Sequence, residues 1–179
     1  MFAPVPQYAF CKVTDIAADF IAGLGIKLLL LDLDNNIAAY PEHKLSDDVS
    51  YWISSLKAVG IKLFIISNSK RTDRVQTFAK ELDSGYEMRA GKPSPNSIIK
   101  IMAAEGFNVS ETALIGDQIY TDVLAANRAG IISIVVRPKQ FSNPFLAIRY
   151  FFELPFRVMC KNKITGKKIN VVKEQVNNE

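Results

Sequence analysis

The chain has 179 residues, 49% of them hydrophobic and 22% charged, with 22 Lys and Arg against 18 Asp and Glu, a net charge of +4 and a pI near 9. This composition excludes a disordered, collagenous or disulfide-stapled chain and points to one globular unit with a substantial core. The positive charge is local, because residues 1–136 hold 13 basic and 15 acidic residues whereas residues 137–179 hold 9 and 3.

In chain order, the opening Met1-Phe-Ala-Pro-Val-Pro lacks the basic start and apolar run of a signal peptide. The apolar stretch from Phe20 to Leu33 contains Lys27 and Asp32, too short and interrupted to span a bilayer. Its end, Lys27 to Leu33, predicts a strand. Ser46 then caps a helix through Lys57, with Val49, Trp52, Ile53 and Leu56 on one face and Gly60 as its stop. A strand over Ile61 to Ile66 is followed by a helix over Thr72 to Leu82 and a short strand around Tyr86 to Arg89. A third helix takes Ser94 as cap and Pro95 as its first residue and ends near Gly106. Strands over Thr112 to Ile115 and Ile131 to Val136 flank a helix from Tyr120 to Ala129, which stops at Gly130. Short apolar runs alternating with amphipathic ones are the pattern of a parallel sheet covered by helices on both faces. Residues 1–138 are therefore expected to form an α/β core, and residues 139–179 a basic, aromatic extension. Cys11 and Cys160 have no close Cys or His neighbours, which suits a reducing cytosol.

Four polar clusters fall at the C-terminal ends of the predicted strands or before helices, where open α/β sheets build their sites. Asp32-Leu33-Asp34 puts two carboxyls at a strand end, as a nucleophile, metal ligand or acid/base would require. Ser67-Asn68 offers a hydroxyl and free N–H groups to a phosphate oxygen. Gly91-Lys92-Pro93 delivers a cation near a helix start. Gly116-Asp117, with Asp122 five residues on, adds two acids that could complete a hard-cation site with the first pair. Taken singly, each also reads as a turn, a helix cap or a solvated lysine.

Together, and in this order, the clusters resemble the four motifs of the haloacid dehalogenase superfamily. The resemblance implies a three-layer α/β/α Rossmann-like fold and a phosphatase mechanism through an aspartyl-phosphate. Asp32 would be the nucleophile, and Asp34 the acid for the leaving oxygen and then the base for water. Ser67, Asn68 and Lys92 would hold the phosphoryl group. Mg²⁺ would sit on Asp32, Asp117 and the backbone carbonyl of Asp34, and Asp122 would support the metal or orient Lys92. The positive charge is needed because an anionic nucleophile must approach an anionic phosphate. One departure is Asn36, where the superfamily usually has Thr.

About 32 residues separate Asp34 from Ser67 and about 24 separate Ser67 from Lys92, leaving no room for a cap domain and implying an open, capless site. Gly25-Ile26-Lys27 leading into the first motif, Gly91-Lys92-Pro93 and the run from Gly116 to Gly130 narrow the likeness to the bacterial YqeG-type phosphatases. These are similar to phosphatidylglycerophosphate phosphatases of phospholipid biosynthesis, which implies a lipid phosphate as substrate.

The extension offers a physical argument of its own. Ser142-Asn143-Pro144 is a helix start, followed by Phe145, Leu146, Ile148, Tyr150, Phe151, Phe152 and Leu154, with Arg149 and Arg157 nearby. Such a helix either packs on the sheet or lies at the inner face of an anionic membrane, with its rings in the acyl boundary and its Arg residues on lipid phosphates. Lys161, Lys163, Lys167 and Lys168 would add attraction.

Two other readings are a non-catalytic binding protein, for which Asn36 is the hint, and a phosphatase of nucleotides. No aromatic platform for stacking bases is present, so nucleic acid is not expected. A receiver domain is disfavoured by order, since an acidic pair follows Lys92. His43 reads as a surface-loop residue, and Tyr40 and Trp52 as packing residues.

Overall fold

The computed structural model describes residues 3–141 and 144–160. Six strands and six α-helices follow in the order β1 (Tyr8–Phe10), α1 (Ala18–Gly23), β2 (Leu28–Leu31), α2 (Asp47–Ala58), β3 (Lys62–Ile66), α3 (Thr72–Glu81), β4 (Gly85–Glu87), α4 (Asn96–Glu105), β5 (Thr112–Gly116), α5 (Leu124–Ala129), β6 (Ile132–Val136) and α6 (Pro144–Val158). The strands form one sheet in the order β1-β6-β5-β2-β3-β4, and every pairing is parallel. This is the α/β class that the alternating pattern implied, in the Rossmann-like arrangement that the resemblance implied.

β2 shows why. Its four leucines are fully buried, with Leu29 and Leu31 facing one apolar layer and Leu28 and Leu30 the other. The first layer includes Ile21, Leu56 and Phe78 from α1 to α3, and the second includes Ile98, Ile101, Ala125 and Ala126 from α4 and α5. A strand with two buried faces has no reason to alternate polar and apolar residues.

Several boundaries differ from the sequence expectation. β2 stops at Leu31 because the chain turns at once, with the N–H groups of Asn36 and Ala38 both donating to the Leu33 carbonyl. α4 begins at Asn96, not Pro95, and the Ser94 hydroxyl accepts the Asn96 N–H at 3.4 Å. The helix expected from Tyr120 opens as a π-helical turn over Ile119–Val123 before α5. β1 and α1 were not expected. β1 is a three-residue edge strand against β6, and Phe20 of α1 meets Tyr8 and Phe10 edge to face with ring centroids 5.2 and 5.6 Å apart. Trp52 packs as expected, its ring N–H donating to the Ile16 carbonyl at 2.8 Å.

Among the described residues, only α2 lies between β2 and β3, and only α3 and β4 between β3 and α4, so no further domain covers the strand ends there. No helix of the described residues is long and apolar enough to cross a membrane. Ser142, Asn143 and the lysines at 161, 163, 167 and 168 lie outside the described residues.

Candidate active site

Register brings the site together. Leu31 pairs with Ile65 on one side and Ile115 on the other, so Asp32, Ser67 and Asp117 emerge side by side just beyond β2, β3 and β5. The Asp32 N–H still donates to the Ile115 carbonyl at 2.9 Å, which anchors the first acid to the sheet. Asn36 braces the same point, its amide donating to the carbonyls of Asp32 at 2.8 Å and Ile115 at 3.1 Å. The residue that departs from the superfamily pattern thus ties the ends of β2 and β5 together.

Lys92 arrives from the turn before α4. Its buried Nζ donates to Asp32 Oδ1 at 2.6 Å and to the Ile66 carbonyl at 2.9 Å, and lies 2.7 Å from Asp122 Oδ1 as an ion pair. Asn68 sets that turn, donating from Nδ2 to the Lys92 carbonyl at 2.9 Å and accepting the Lys92 N–H on Oδ1 at 3.0 Å. Its side-chain amide is spent on the Lys92 backbone, so a phosphate contact by Asn68 would come from its backbone N–H. The Ser67 oxygen is buried and accepts the Ser69 N–H at 3.0 Å, which leaves its own proton free to donate.

The π-helical turn aims Asp122. Val123 N–H reaches back five residues to the Gln118 carbonyl at 3.2 Å, and Asp122 Oδ2 accepts the Gln118 N–H at 3.1 Å. Such turns recur at functional sites. The side chain lies so close over Gly116 that a Cβ there would come within 2.3 Å of Asp122 Cγ. Gly116 is required by this approach.

Three acids face one lysine. Asp32, Asp117 and Asp122 are 6%, 0% and 1% exposed, and each offers a carboxylate oxygen within 4.8 Å of the others. Burial pushes the Asp32 carboxyl up to about 7; Lys92 pulls it back, while Asp122 and Asp34 add to the rise. Burial, with Asp32 and Asp122, also holds Asp117 well above the usual carboxylate range, only partly offset by Arg149 and Arg157. Burial alone would lower Lys92, but Asp122 and Asp32 outweigh it and hold the ammonium above its ordinary value. Asp32 Oδ2 and both Asp117 oxygens have no hydrogen-bond donor. Buried carboxylate oxygens without donors are costly, and an all-oxygen, acid-rich set of this kind fits a hard divalent cation such as Mg²⁺.

Asp34 is held apart from this cluster. Arg74 of α3 donates from Nε to Asp34 Oδ1 at 2.9 Å and from its terminal nitrogens to the carbonyls of Ala39 and Glu42. No local pattern marks Arg74, because its partner is forty residues away. Tyr40, expected to pack, is 42% exposed beside this loop, and His43 is exposed as expected.

α6 divides its residues between the protein interior and the surface. Glu153 is fully buried, accepts the Ile119 N–H at 3.1 Å and pairs with Arg157 at 2.9 Å. Arg157 also donates to the carbonyls of Val136 and Asp117, and Arg149 lies 3.5 Å from Asp117 Oδ2. The two arginines turn inward to these acceptors, so of the two placements open to this helix they take the one packed on the protein. The rings of Phe145, Phe151 and Phe152 are exposed instead. The Arg-Glu-Arg spacing at i, i+4 and i+8 is the signal that marks a buried polar stripe in this aromatic helix.

A model of the haloacid dehalogenase-like hydrolases matches residues 12–130. Among curated proteins, the chain is 28% identical over 162 residues to a Bacillus subtilis (strain 168) protein named "Probable phosphatase YqeG", covering 90% of this chain and 93% of the relative. Two solved structures share the fold. An uncharacterized Listeria monocytogenes protein aligns over 74% of this chain and 99% of its own, with 15% identity and a TM-score of 0.53. The cobalt-bound deoxy-D-mannose-octulosonate 8-phosphate phosphatase of Haemophilus influenzae aligns over 75% and 90%, with 14% identity and a TM-score of 0.52.

Proposed function

The chain belongs to the haloacid dehalogenase-like hydrolase family, and from that premise we propose that it is a phosphomonoester hydrolase that works through an aspartyl-phosphate on Asp32. The observation that carries this reading is the buried Lys92 ammonium, shared between Asp32 and Asp122, beside an Asp32 Oδ2 with no donor of its own.

Asp32 Oδ2 attacks phosphorus as the bond to the ester oxygen breaks, and Asp34 gives its proton to that leaving oxygen. Arg74 engages Oδ1 of Asp34, which leaves Oδ2 for the transfer. Asp34 then takes a proton from water, whose oxygen attacks the aspartyl-phosphate and releases phosphate with the Asp32 carboxylate restored. Lys92 and the Ser67 hydroxyl bind the phosphoryl oxygens, and Asp122 orients Lys92. Asp32, Asp117 and the Asp34 carbonyl would hold Mg²⁺, which when bound offsets the charge built up between nucleophile and phosphate. We assign this chemistry to residues 1–138, with residues 139–179 as an extension.

The finer substrate is a lipid phosphate such as phosphatidylglycerophosphate, met at the inner face of an anionic membrane. Support comes from the uncovered strand ends and from α6, whose aromatic residues face outward beside the site while its polar stripe holds Asp117. The basic balance of residues 137–179 agrees with an anionic surface. Phosphate release from phosphatidylglycerophosphate vesicles and from p-nitrophenyl phosphate, with and without Mg²⁺, tests both levels. Wild type should turn over in Mg²⁺ and Asp32→Asn should not. Activity retained by Asp32→Asn defeats the mechanism, and activity on the aryl ester alone defeats the lipid substrate.

A further inference from the structure

We propose that the groove beside Asp34 is a subsite for a second oxyanion of the substrate, received by Lys70 and Arg71; this rests on the hydrolase reading above. The groove encloses about 710 Å³ between the loop after β2 and the start of α3, and its walls include Tyr40, His43, Lys70, Arg71 and Arg74. It adjoins the reacting centre through Arg74, whose Nε contacts Asp34. Tyr40 is near enough that, after burial, the charges of Asp34, Asp32 and Asp117 all push its phenol upward.

The charge of the groove is not balanced within it. Arg74 is neutralised by Asp34, and Asp73 is the one acid on the wall. Among the described residues, neither Lys70 nor Arg71 has a carboxylate within ion-pair distance. Arg71 is nonetheless placed: its guanidinium carbon lies 5.7 Å from the centroid of the Tyr40 ring, and its backbone N–H donates to the Ser69 hydroxyl at 3.2 Å. A guanidinium stacked on a ring keeps its planar edge free for two parallel hydrogen bonds to an oxyanion. The buried acids next door repel a stray anion, so a cationic groove at this position suits an anion tethered to the phosphate being cleaved. The ligand class is a phosphate monoester with a second phosphate-like group on its alcohol portion.

The test compares α,ω-alkanediol monophosphates with the matching bisphosphates, two to six carbons long. Binding is measured by titration calorimetry in Mg²⁺ on the Asp32→Asn protein, which holds the ester without turning it over. A bisphosphate has two equivalent ends, so chance alone favours it twofold. At the best chain length the bisphosphate should bind at least tenfold more tightly, and this preference should collapse to about twofold when Arg71→Ala and Lys70→Ala are added. Arg71→Lys should keep part of it. A preference near twofold at every length, or one unchanged by the two substitutions, overturns the subsite. Turnover of the monophosphates by wild type is followed separately; its absence would reject the hydrolase reading, while the binding ratio still decides the groove.

Discussion

Replacing Lys92 with Met keeps the length and most of the volume of the side chain but removes its charge and all three contacts, to Asp32, Asp122 and the Ile66 carbonyl. This ion pair has almost no access to water, since the Lys92 and Asp122 side chains are each 1% exposed. Removing one partner of a buried ion pair typically costs about 3–5 kcal/mol. The abandoned carboxyls can escape only by taking up protons, at a cost of about 1.4 kcal/mol for each pH unit above their ordinary range. The folded variant then binds more protons than the unfolded chain, so its deficit must shrink as pH falls. We expect a loss of about 3–5 kcal/mol at pH 7.5 and a deficit smaller by roughly 2–3 kcal/mol at pH 5.5. Urea unfolding followed by far-UV circular dichroism, in EDTA at both pH values, reads both quantities. Hydrolysis should fall by a factor of about 10² or more, as for loss of a fixed donor at a developing charge. A loss under about 1 kcal/mol, or the same loss at both pH values, refutes the idea that Lys92 holds this acid cluster together.

Two further outcomes follow from the same cluster. The metal-free wild type should itself lose stability as pH rises from about 4 to 7, because burial raises the Asp32 carboxyl to about 7 and Asp117 shifts in the same direction; each raised acid takes up to about 1.4 kcal/mol per pH unit over its window. Mg²⁺ should restore most of that loss, and thermal melts across this range that are flat in EDTA would contradict it. Gly116→Ala places a Cβ within 2.3 Å of Asp122 Cγ, so it should cost about 1–3 kcal/mol by overpacking and displace Asp122 from Lys92; a melting temperature and a turnover rate both equal to wild type would show that the cluster is not tightly built.

The central strands were legible because burial on both faces leaves a run of apolar residues with no polar alternation, as in Leu28 to Leu31. β1 was not, because three residues carry no period and their partner, β6, lies more than a hundred residues away. Asp32, Ser67, Lys92, Asp117 and Asp122 were legible as candidates through residue type and strand-end position. The side-chain partner of Asn68 was not legible, because a polar residue in a loop shows its chemistry but not its partner, here the Lys92 backbone. Arg74 stood silent in an amphipathic helix for the same reason.

The class of fold, the order of the acidic, hydroxyl and basic groups, and the concentration of positive charge in the final residues can all be read along the chain. Local pattern is enough for these, since periodicity and spacing are properties of neighbours. Which atoms face one another is set by folding: Lys92 is shared between Asp32 and Asp122, Arg74 takes Asp34, and α6 turns its arginines inward and the rings of Phe145, Phe151 and Phe152 to the surface. Burial explains the difference. A charge in water needs no particular partner, whereas Glu153 or Asp117, at 0% exposure, is stable only where the rest of the chain brings compensating groups.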